Sequence, residues 1–444
     1  MKTIASRFSA TILNILRILL YVSGFCVFFY FMGIENFQVY KLSRTSVVMV
    51  ITYLMLTYFL THIYGGCDFG LREGRSIFLS LELTMVLTYL GTYLMLIIMN
   101  TNDANGRAFR LSSFGFFLLA VAIQTLFTAL LIRAGDSLYT ALRPGERVLV
   151  ITSGPGEEEL LRRAIGVYGK RFTVEGVAGA GEEGLHQRIK AVDSVFFYDV
   201  SGGEKSELVS YCYKHLKNVY VSPDISDLVD MTARQMMFGD ILFLRKTIGS
   251  MTFEQRLIKR AMDIVLSLLG IVLTSPVMLI AALAIKKEDA GKVFFRQKRA
   301  TIHGRTFEIY KFRTMKENVE NYSSTRDDGR ITRVGKTLRR YRIDELPQLF
   351  NILKGEMSLV GPRPEMLENV DEYEKEMPEF KYRLRMKAGL TGLAQVMGRY
   401  NTTPKDKLIL DLMYIENFSI IMDIRLLFQT LTVLFKAGDS TEGF

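Results

Sequence analysis

KRAMDIVLSLLGIVLTSPVMLIAALAIKK, residues 259–287, decides the architecture of this chain. Its middle, Ile264–Ile285, is uncharged over 22 residues, and a bilayer crossing takes about 20. Arg256, Lys259 and Arg260 precede it, and Lys286 and Lys287 follow. Ser275-Pro276 falls in the middle, where proline removes a backbone donor and disrupts the helix. Cations at both ends argue for a re-entrant hairpin that enters and leaves by the cytoplasmic face, and against a span. The freed backbone then needs burial in protein or a side chain such as Ser275.

Upstream lies a greasy third. Ile12–Ile34, Thr45–Tyr64, Ile77–Met99 and Phe114–Ile132 are each long enough to cross a bilayer. No small-x-small cleavage site follows the first, so it does not read as a signal peptide. Four spans put both ends on one side. Lys2, Arg7, Arg72, Arg75, Arg133, Arg143 and Arg147 fall on one face, against Lys41, Arg44, Arg107 and Arg110 on the other. That bias places the N-terminus and the large C-terminal part inside. Glu82, in the third span near its interface, is expected to snorkel.

The composition agrees with a mixed protein. Of 444 residues, 49% are hydrophobic, but they are bunched, which excludes both a purely soluble chain and a bare channel. Three scattered cysteines, Cys26, Cys67 and Cys212, exclude a disulfide framework. Four histidines without ligand spacing exclude a His-based metal motif. The net charge of +10 fits nucleic acid, phosphorylated metabolites or an anionic membrane.

From Arg147 the pattern alternates. Val148–Thr152, Phe172–Val177, Val195–Val200 and Val219–Val221 read as strands, with charged helices Glu157–Tyr168, Glu182–Ala191 and Glu204–Leu216 between them. This predicts a parallel, Rossmann-like sheet over 146–247. Ser153-Gly154-Pro155-Gly156 is half a dinucleotide fingerprint, but Glu157, Glu158 and Glu159 would repel a phosphate. The domain is therefore expected to be structural or regulatory.

After the hairpin come dense cations: Arg296-Gln297-Lys298-Arg299, Lys311-Phe312-Arg313, and Arg330 to Arg340. No nucleic-acid-binding pattern accompanies them, so a phosphate-rich small ligand at a membrane fits better. Then follows Asp344-Glu345-Leu346-Pro347. Asp344 is a plausible helix N-cap. Two adjacent carboxylates among arginines can also hold magnesium, and one can attack phosphorus. Local spacing alone leaves capping and chemistry open.

Five blocks go further: KRAMD at 259–263, the Ser275-Pro276 break, KFRTM at 311–315, DELPQLFNILKGEMSLVGPRPE at 344–365, and GLTGLAQVMGR at 389–399. With these, Phe253–Thr430 resembles the bacterial sugar transferases, or monotopic phosphoglycosyl transferases. Four preceding spans and an α/β domain resemble the large members that initiate exopolysaccharide, capsule or O-antigen synthesis. The resemblance implies transfer of a sugar-1-phosphate from a UDP-sugar to polyprenyl phosphate, usually undecaprenyl phosphate, releasing UMP. It implies Asp344 as nucleophile, Glu345 as its dyad partner, Mg2+ at Asp344, and Arg339 and Arg363 on phosphate. The matched blocks also make Lys311, Arg313, Thr391, Gly392 and Gln395 candidate substrate-binding residues, and the cation-dense stretch after the hairpin adds Gln297 and Arg299. Two loops depart from the family. Lys387-Ala388-Gly389 stands where Lys-Pro-Gly is usual, and Ala300-Thr301-Ile302-His303-Gly304 where a glycine-containing RVG is usual.

The expected organisation is four transmembrane helices over 1–140, the α/β domain over 146–247, and an α-rich catalytic domain over 253–444 with its re-entrant segment at 264–285. The expected setting is a multi-pass protein of the bacterial inner membrane with a cytoplasmic catalytic domain, touching membrane lipids and no nucleic acid. The membrane and α/β parts could serve dimerisation. One alternative is a membrane-anchored nucleotide-sensing module in which the carboxylate pair is expendable. Another is a membrane-anchored oxidoreductase, which needs the complete glycine fingerprint. Asn417–Lys436 reads either as an interfacial helix or as one packed on the hairpin.

Overall fold

A computed structural model describes residues 9–69, 72, 74–100, 111–143, 145–153, 158–166, 168, 171–246, 251–289, 291–316, 329–398 and 403–435. The Gly154–Glu157 turn, Lys2, Arg7, Arg107, Arg110 and Arg399 lie outside these. The chain divides into two units, Met1–Ser222 and Pro223–Phe444.

The first unit begins with four long helices: α1 Ser9–Glu35, α2 Arg44–Tyr64, α3 Gly74–Asn100 and α4 Phe114–Leu142. All four are long and apolar enough to cross a membrane. Their polar side chains turn inward. Ser80, Thr84, Thr88 and Thr92 of α3 are buried, as are Gln124 and Thr128 of α4. The Thr84 and Thr92 hydroxyls donate to the carbonyls one turn back, each at 2.8 Å, which keeps their polarity satisfied within the helix. Gly135 permits a close approach: a Cβ there would lie 2.3 Å from the Phe69 ring and 2.9 Å from Leu16. Glu82 does not reach outward. It accepts a hydrogen bond from Thr125 Oγ1 of the neighbouring helix α4.

The same unit holds a four-stranded sheet of β1 Glu146–Thr152, β2 Phe172–Gly179, β3 Ser194–Tyr198 and β4 Asn218–Val221. Every pairing is parallel, in the order β2-β1-β3-β4. Helices α5 Glu158–Gly166, α6 Leu185–Ala191 and α7 Gly202–Lys214 make the crossovers. Alternate residues of β1 serve opposite faces: Val148 and Val150 pack with Leu161 and Ile165, Leu149 and Ile151 with Leu185, Ile189 and Leu208. A sheet covered on both faces needs such an unbroken apolar strand. Glu158 and Glu159 pair with Arg162 and Arg163 one turn on.

The second unit opens with α8 Ile225–Thr232 and the hairpin β5 Arg234–Phe238 and β6 Ile241–Arg245. Then comes α9, Phe253–Asp289, the fifth helix of membrane length. Pro276 lies inside it without dividing it into two helices. The reason is local. Proline takes away the donor that would reach the Val272 carbonyl, and Ser275 Oγ donates to that carbonyl instead, at 2.8 Å.

Both ends of α9 are fastened to this one unit. Near its start, Asp263 accepts from Ser358 Oγ at 3.0 Å and Leu359 N at 2.9 Å, and Arg260 donates to the carbonyls of Ile352 and Leu353. Near its end, Ala281 and Ile285 pack with Phe312 and Leu338, and Asp289 pairs with Arg313. Between these anchors, 268–280 contains no buried side chain, and Val272 and Leu273 are each 68% exposed.

The remainder builds the body that carries the site. β7 Phe294–Ala300 pairs antiparallel with β8 Thr306–Phe312. Helix α10 Arg333–Arg340 leads through a tight turn, Ile343–Glu345, into α11 Gln348–Lys354. Strand β9 Ser358–Val360 lies parallel to β10 Gly389–Thr391, with α12 Leu367–Glu376 and the turn Pro378–Arg385 between them in sequence. Helices α13 Leu393–Met397, α14 Pro404–Glu416 and α15 Ile420–Phe435 close it. The core gathers Ile309, Leu349, Ile352, Val360, Phe380, Leu412, Tyr414 and Leu426. Of the two readings of the last helix, packing is what α15 does: its Asp423 is fully buried and pairs with Lys259 of α9.

Ser275→Ala leaves the Val272 carbonyl without its donor and should cost about 1 kcal/mol. Adding Pro276→Leu restores a backbone N–H to that carbonyl, so the double variant should recover the loss. Thermal melting of the detergent-solubilised chain checks both, and an unrecovered loss would assign Ser275 another role.

Candidate active site

Asp344 and Glu345 sit side by side on the turn between α10 and α11, in different environments. Arg342, just before them, has φ +54, a left-handed conformation that costs a non-glycine residue about 1–3 kcal/mol. That kink turns Asp344 inward, where it is 8% exposed. Its Oδ1 is buried and has no hydrogen-bond partner among the described residues. Glu345 Oε1 accepts from Lys311 Nζ of β8 at 2.9 Å and from Arg363 Nη2 at 3.3 Å. The N-cap reading of Asp344 is not what the geometry shows, since Pro347 precedes α11 as its cap residue.

The two carboxyls are pushed apart. Burial raises Asp344, Glu345 beside it raises it further, and Lys311 and Arg339 only partly oppose them. Burial would raise Glu345 as well, but Lys311, Arg363 and Arg342 outweigh it and hold it well below the usual carboxylate range. Divergent carboxyls of this kind mark sites where acid and base or nucleophile roles are divided.

Arg363 lies in the turn after β9, and that turn is pinned from several directions. Pro362 and Pro364 have no N–H, so this turn cannot pair its backbone regularly. Its carbonyls find other donors. Lys259 Nζ donates to Val360 O at 2.9 Å, Gly389 N to Pro362 O at 2.9 Å, Arg383 Nη2 to Arg363 O at 2.8 Å and Arg299 Nη1 to Pro364 O at 3.3 Å. Glycine is required where the backbones meet: a Cβ on Gly361 would lie 2.3 Å from Lys387 O, and one on Gly389 2.1 Å from Gly361 N.

The remaining candidates distribute around this centre. Arg299 donates to Gln297 Oε1 at 2.6 Å, and burial with Arg363 nearby pulls its guanidinium down to about 10. Arg339 Nε donates to Thr314 Oγ1 at 2.9 Å, within electrostatic reach of Asp344. Thr391 Oγ1 and Thr430 Oγ1 lie 2.7 Å apart, Gln395 Nε2 donates to Leu390 O, and Gly392 packs on Gly361. These three border the Arg363 turn. Arg313 is placed otherwise: buried, it bonds Asp289 and the Lys292 carbonyl and so staples the end of α9 to β8. Ser275 and Pro276 belong to the exposed middle of α9.

The two departing loops meet. Ala388 N donates to Thr301 Oγ1 at 3.2 Å, and Thr301 Oγ1 donates to Glu356 O at 3.0 Å. Sequence reasoning gave no role to Glu365, Arg383 or Asp411, and read Lys259 only as a charge flanking the apolar segment. Burial with opposite charge is their mark, and spacing does not reveal it: Arg383 and Asp411 are 4% and 2% exposed as side chains and only 2.6 Å apart. Burial pushes Asp411 up to about 6 against the pull of Arg383. Burial would raise Glu365 too, but Arg383 and Lys407 hold it low.

A family model described as bacterial sugar transferase matches residues 254–437. A UDP-N-acetylgalactosamine-undecaprenyl-phosphate N-acetylgalactosaminephosphotransferase of Aeromonas hydrophila is 45% identical over 183 residues, covering 40% of this chain and 43% of that protein. A UDP-glucose:undecaprenyl-phosphate glucose-1-phosphate transferase of Caulobacter vibrioides is 41% identical over 41% of this chain and 71% of its own. One of the same name from Klebsiella pneumoniae is 29% identical over 82% of this chain and 84% of its own. The matched stretch thus spans less than half the Aeromonas protein and most of the other two.

A carboxyl whose folded pKa is raised gives stability that is complete below the unfolded pKa and lost as pH rises through the folded one. Asp344→Asn should therefore melt higher than the unmodified chain at about pH 8, with the gap closing toward about pH 4. Melting curves in chelator-containing buffer check this, and a pH-independent gap would count against the raised pKa.

Proposed function

The chain belongs to the bacterial sugar transferase family, and on that premise we propose that it moves a sugar-1-phosphate from a UDP-sugar to polyprenyl phosphate, releasing UMP. The acceptor is undecaprenyl phosphate, and the product begins an exopolysaccharide, capsule or O-antigen. One observation carries the reading: Asp344 is buried with an oxygen that has no partner among the described residues, beside a Glu345 already committed to Lys311 and Arg363. A capping or structural aspartate would spend that oxygen on a hydrogen bond.

The Asp344 carboxylate attacks the sugar-bearing phosphorus of the donor. The bond from that phosphorus to the bridging oxygen breaks, and UMP leaves with the electron pair. The sugar phosphate is then an acyl phosphate on Asp344. An oxygen of the polyprenyl phosphate attacks the same phosphorus and restores the carboxylate, so one hard transfer becomes two easier ones. Glu345 fixes Lys311 and Arg363 where phosphoryl charge gathers, and its own anion keeps Asp344 from being fully matched by cations. Arg339 faces the same charge. Magnesium suits the donor set, since it takes one or two carboxylates plus substrate phosphates and Asp344 offers one free oxygen. Bound there, it would offset the diphosphate charge.

The membrane arrangement belongs to the same proposal. Helices α1 to α4 cross the inner membrane, and the Rossmann-like domain and residues 253–444 lie in the cytoplasm. The exposed apolar middle of α9 dips into the near leaflet and returns. Support comes from its two ends, both held by one unit, since a simple crossing would place Asp263 and Asp289 on opposite sides. A straight helix of this length would reach about 55 Å. The lipid tail of the acceptor can then lie in the bilayer while its phosphate reaches Asp344 at the interface.

Purified chain mixed with UDP-glucose, UDP-galactose or UDP-N-acetylgalactosamine and magnesium, without acceptor, should release one equivalent of UMP with its productive donor. The sugar phosphate should stay on the protein, labile to hydroxylamine. Asp344→Asn and Asp344→Ala should abolish both burst and turnover while remaining folded, and EDTA should suppress the burst. A folded Asp344→Ala chain with near-normal turnover would sink the assignment. For the membrane arrangement, cysteine labels after Lys287 and within β1–β4 should react from the same side; opposite reactivity would make α9 a true span.

A further inference from the structure

Arg383 and Asp411 form a buried pair that touches neither carboxylate of the centre. Arg383 comes from the Pro378–Arg385 turn and Asp411 from α14. Arg383 Nη2 reaches Asp411 Oδ2 at 2.6 Å and also donates to the main-chain carbonyl of Arg363 at 2.8 Å. Its Nη1 lies 4.0 Å from Glu365 Oε1, and its guanidinium stacks on Phe380, 4.8 Å from the ring centroid. It is thus locked by aromatic, carboxylate and carbonyl contacts together. Removing one partner of such a pair leaves an uncompensated buried charge, so the survivor moves or draws in water.

The carbonyl it holds matters because of what lies on either side. Pro362 and Pro364 flank Arg363 and stiffen φ. Gly389 N fixes the carbonyl before Arg363, and Arg299 the one after it. The Arg363 carbonyl itself has Arg383 as its donor. Its orientation determines which way the Arg363 side chain leaves the turn, and that side chain meets Glu345 at 3.3 Å.

We propose that Arg383 and Asp411 are positioning residues for Arg363: the buried pair fixes the Arg363 carbonyl and thereby aims its guanidinium at the phosphoryl site beside Asp344. This rests on the transferase reading for the identity of the phosphoryl group, and for the positioning on the Arg383–Asp411 ion pair and the hydrogen bond from Arg383 to the Arg363 carbonyl. A guanidinium displaced by about 1 Å can cost about 100-fold in rate.

The test uses Asp411→Asn and Arg383→Lys in the full chain, each alone and combined with Arg363→Ala. The readouts are UMP burst rate with UDP-glucose, UDP-galactose and UDP-N-acetylgalactosamine, and melting temperature in parallel. Each single variant should slow the burst about 10- to 100-fold. On the Arg363→Ala background each should slow it less than about twofold further, because residues acting through one group are not additive. Asp411→Glu, which keeps the charge, should recover part of the rate. An equal loss on both backgrounds would make the pair a general stabiliser and overturn the proposal, as would a folded single variant with unchanged rate. If the unmodified chain releases UMP from none of the three donors, the transferase reading has failed instead. The structure of the Asp411→Asn chain then decides the positioning: Arg363 still on Glu345 refutes it, and Arg363 swung away upholds it.

Discussion

A single buried ammonium joins α9 to the candidate site. Lys259 of α9 is 4% exposed, pairs with Asp423 of α15, and donates to the Val360 carbonyl at the end of β9. The Tyr414 hydroxyl of α14 donates to the same carboxylate at 2.6 Å. Breaking a buried pair of this kind costs about 3–5 kcal/mol, because the remaining charge is stranded. Four elements are therefore held in one register. Val360 begins the turn that ends at Arg363, so the seating of α9 and the placement of Arg363 share one contact. Asp263, one turn further along, repeats the tie through Ser358 and Leu359. The helix that offers the apolar surface is also the back wall of the site.

The electrostatics follow a division between two adjacent carboxylates. A cationic pocket suits anionic substrates, yet an aspartate ion-paired as tightly as Glu345 would be a poor nucleophile. The arrangement avoids this by giving Lys311 and Arg363 to Glu345 and leaving Asp344 with burial and a neighbouring anion. The left-handed Arg342 is part of the same device, since an ordinary helical turn would carry Asp344 along the helix and into a cap. Both features cost stability, and both sit where the reaction is proposed to occur.

Local patterns were legible and long-range ones were not. The strands of the α/β part fall within two residues of their alternation, because apolar runs and turn residues are local signals. The Asp344-Glu345 pair was legible from its motif. The roles of the cations were not: Lys311 on β8 and Arg313 just past its end are two residues apart, yet Arg313 staples α9 and Lys311 meets Glu345. Partners 24 and 34 residues away decide that difference. Pro276 reads as a break in sequence, but the Ser275 hydroxyl keeps the helix whole, and only geometry shows which carbonyl it takes.

The two loops that depart from the pattern the resemblance implies are joined by one hydrogen bond. Proline at 388 would have no N–H, and the Thr301 hydroxyl would lose the donor it receives from Ala388. With alanine there, that N–H is buried and must be paired, and Thr301 pairs it while passing its own proton to Glu356 O. A backbone donor gained in one loop thus requires an acceptor in another, 87 residues away in sequence. Ala388 immediately precedes Gly389, whose N–H holds the Pro362 carbonyl beside Arg363. Proline at 388 would fix φ there; with alanine, the Thr301 hydrogen bond restrains the same backbone, next to the Gly389 N–H that supports the Arg363 turn.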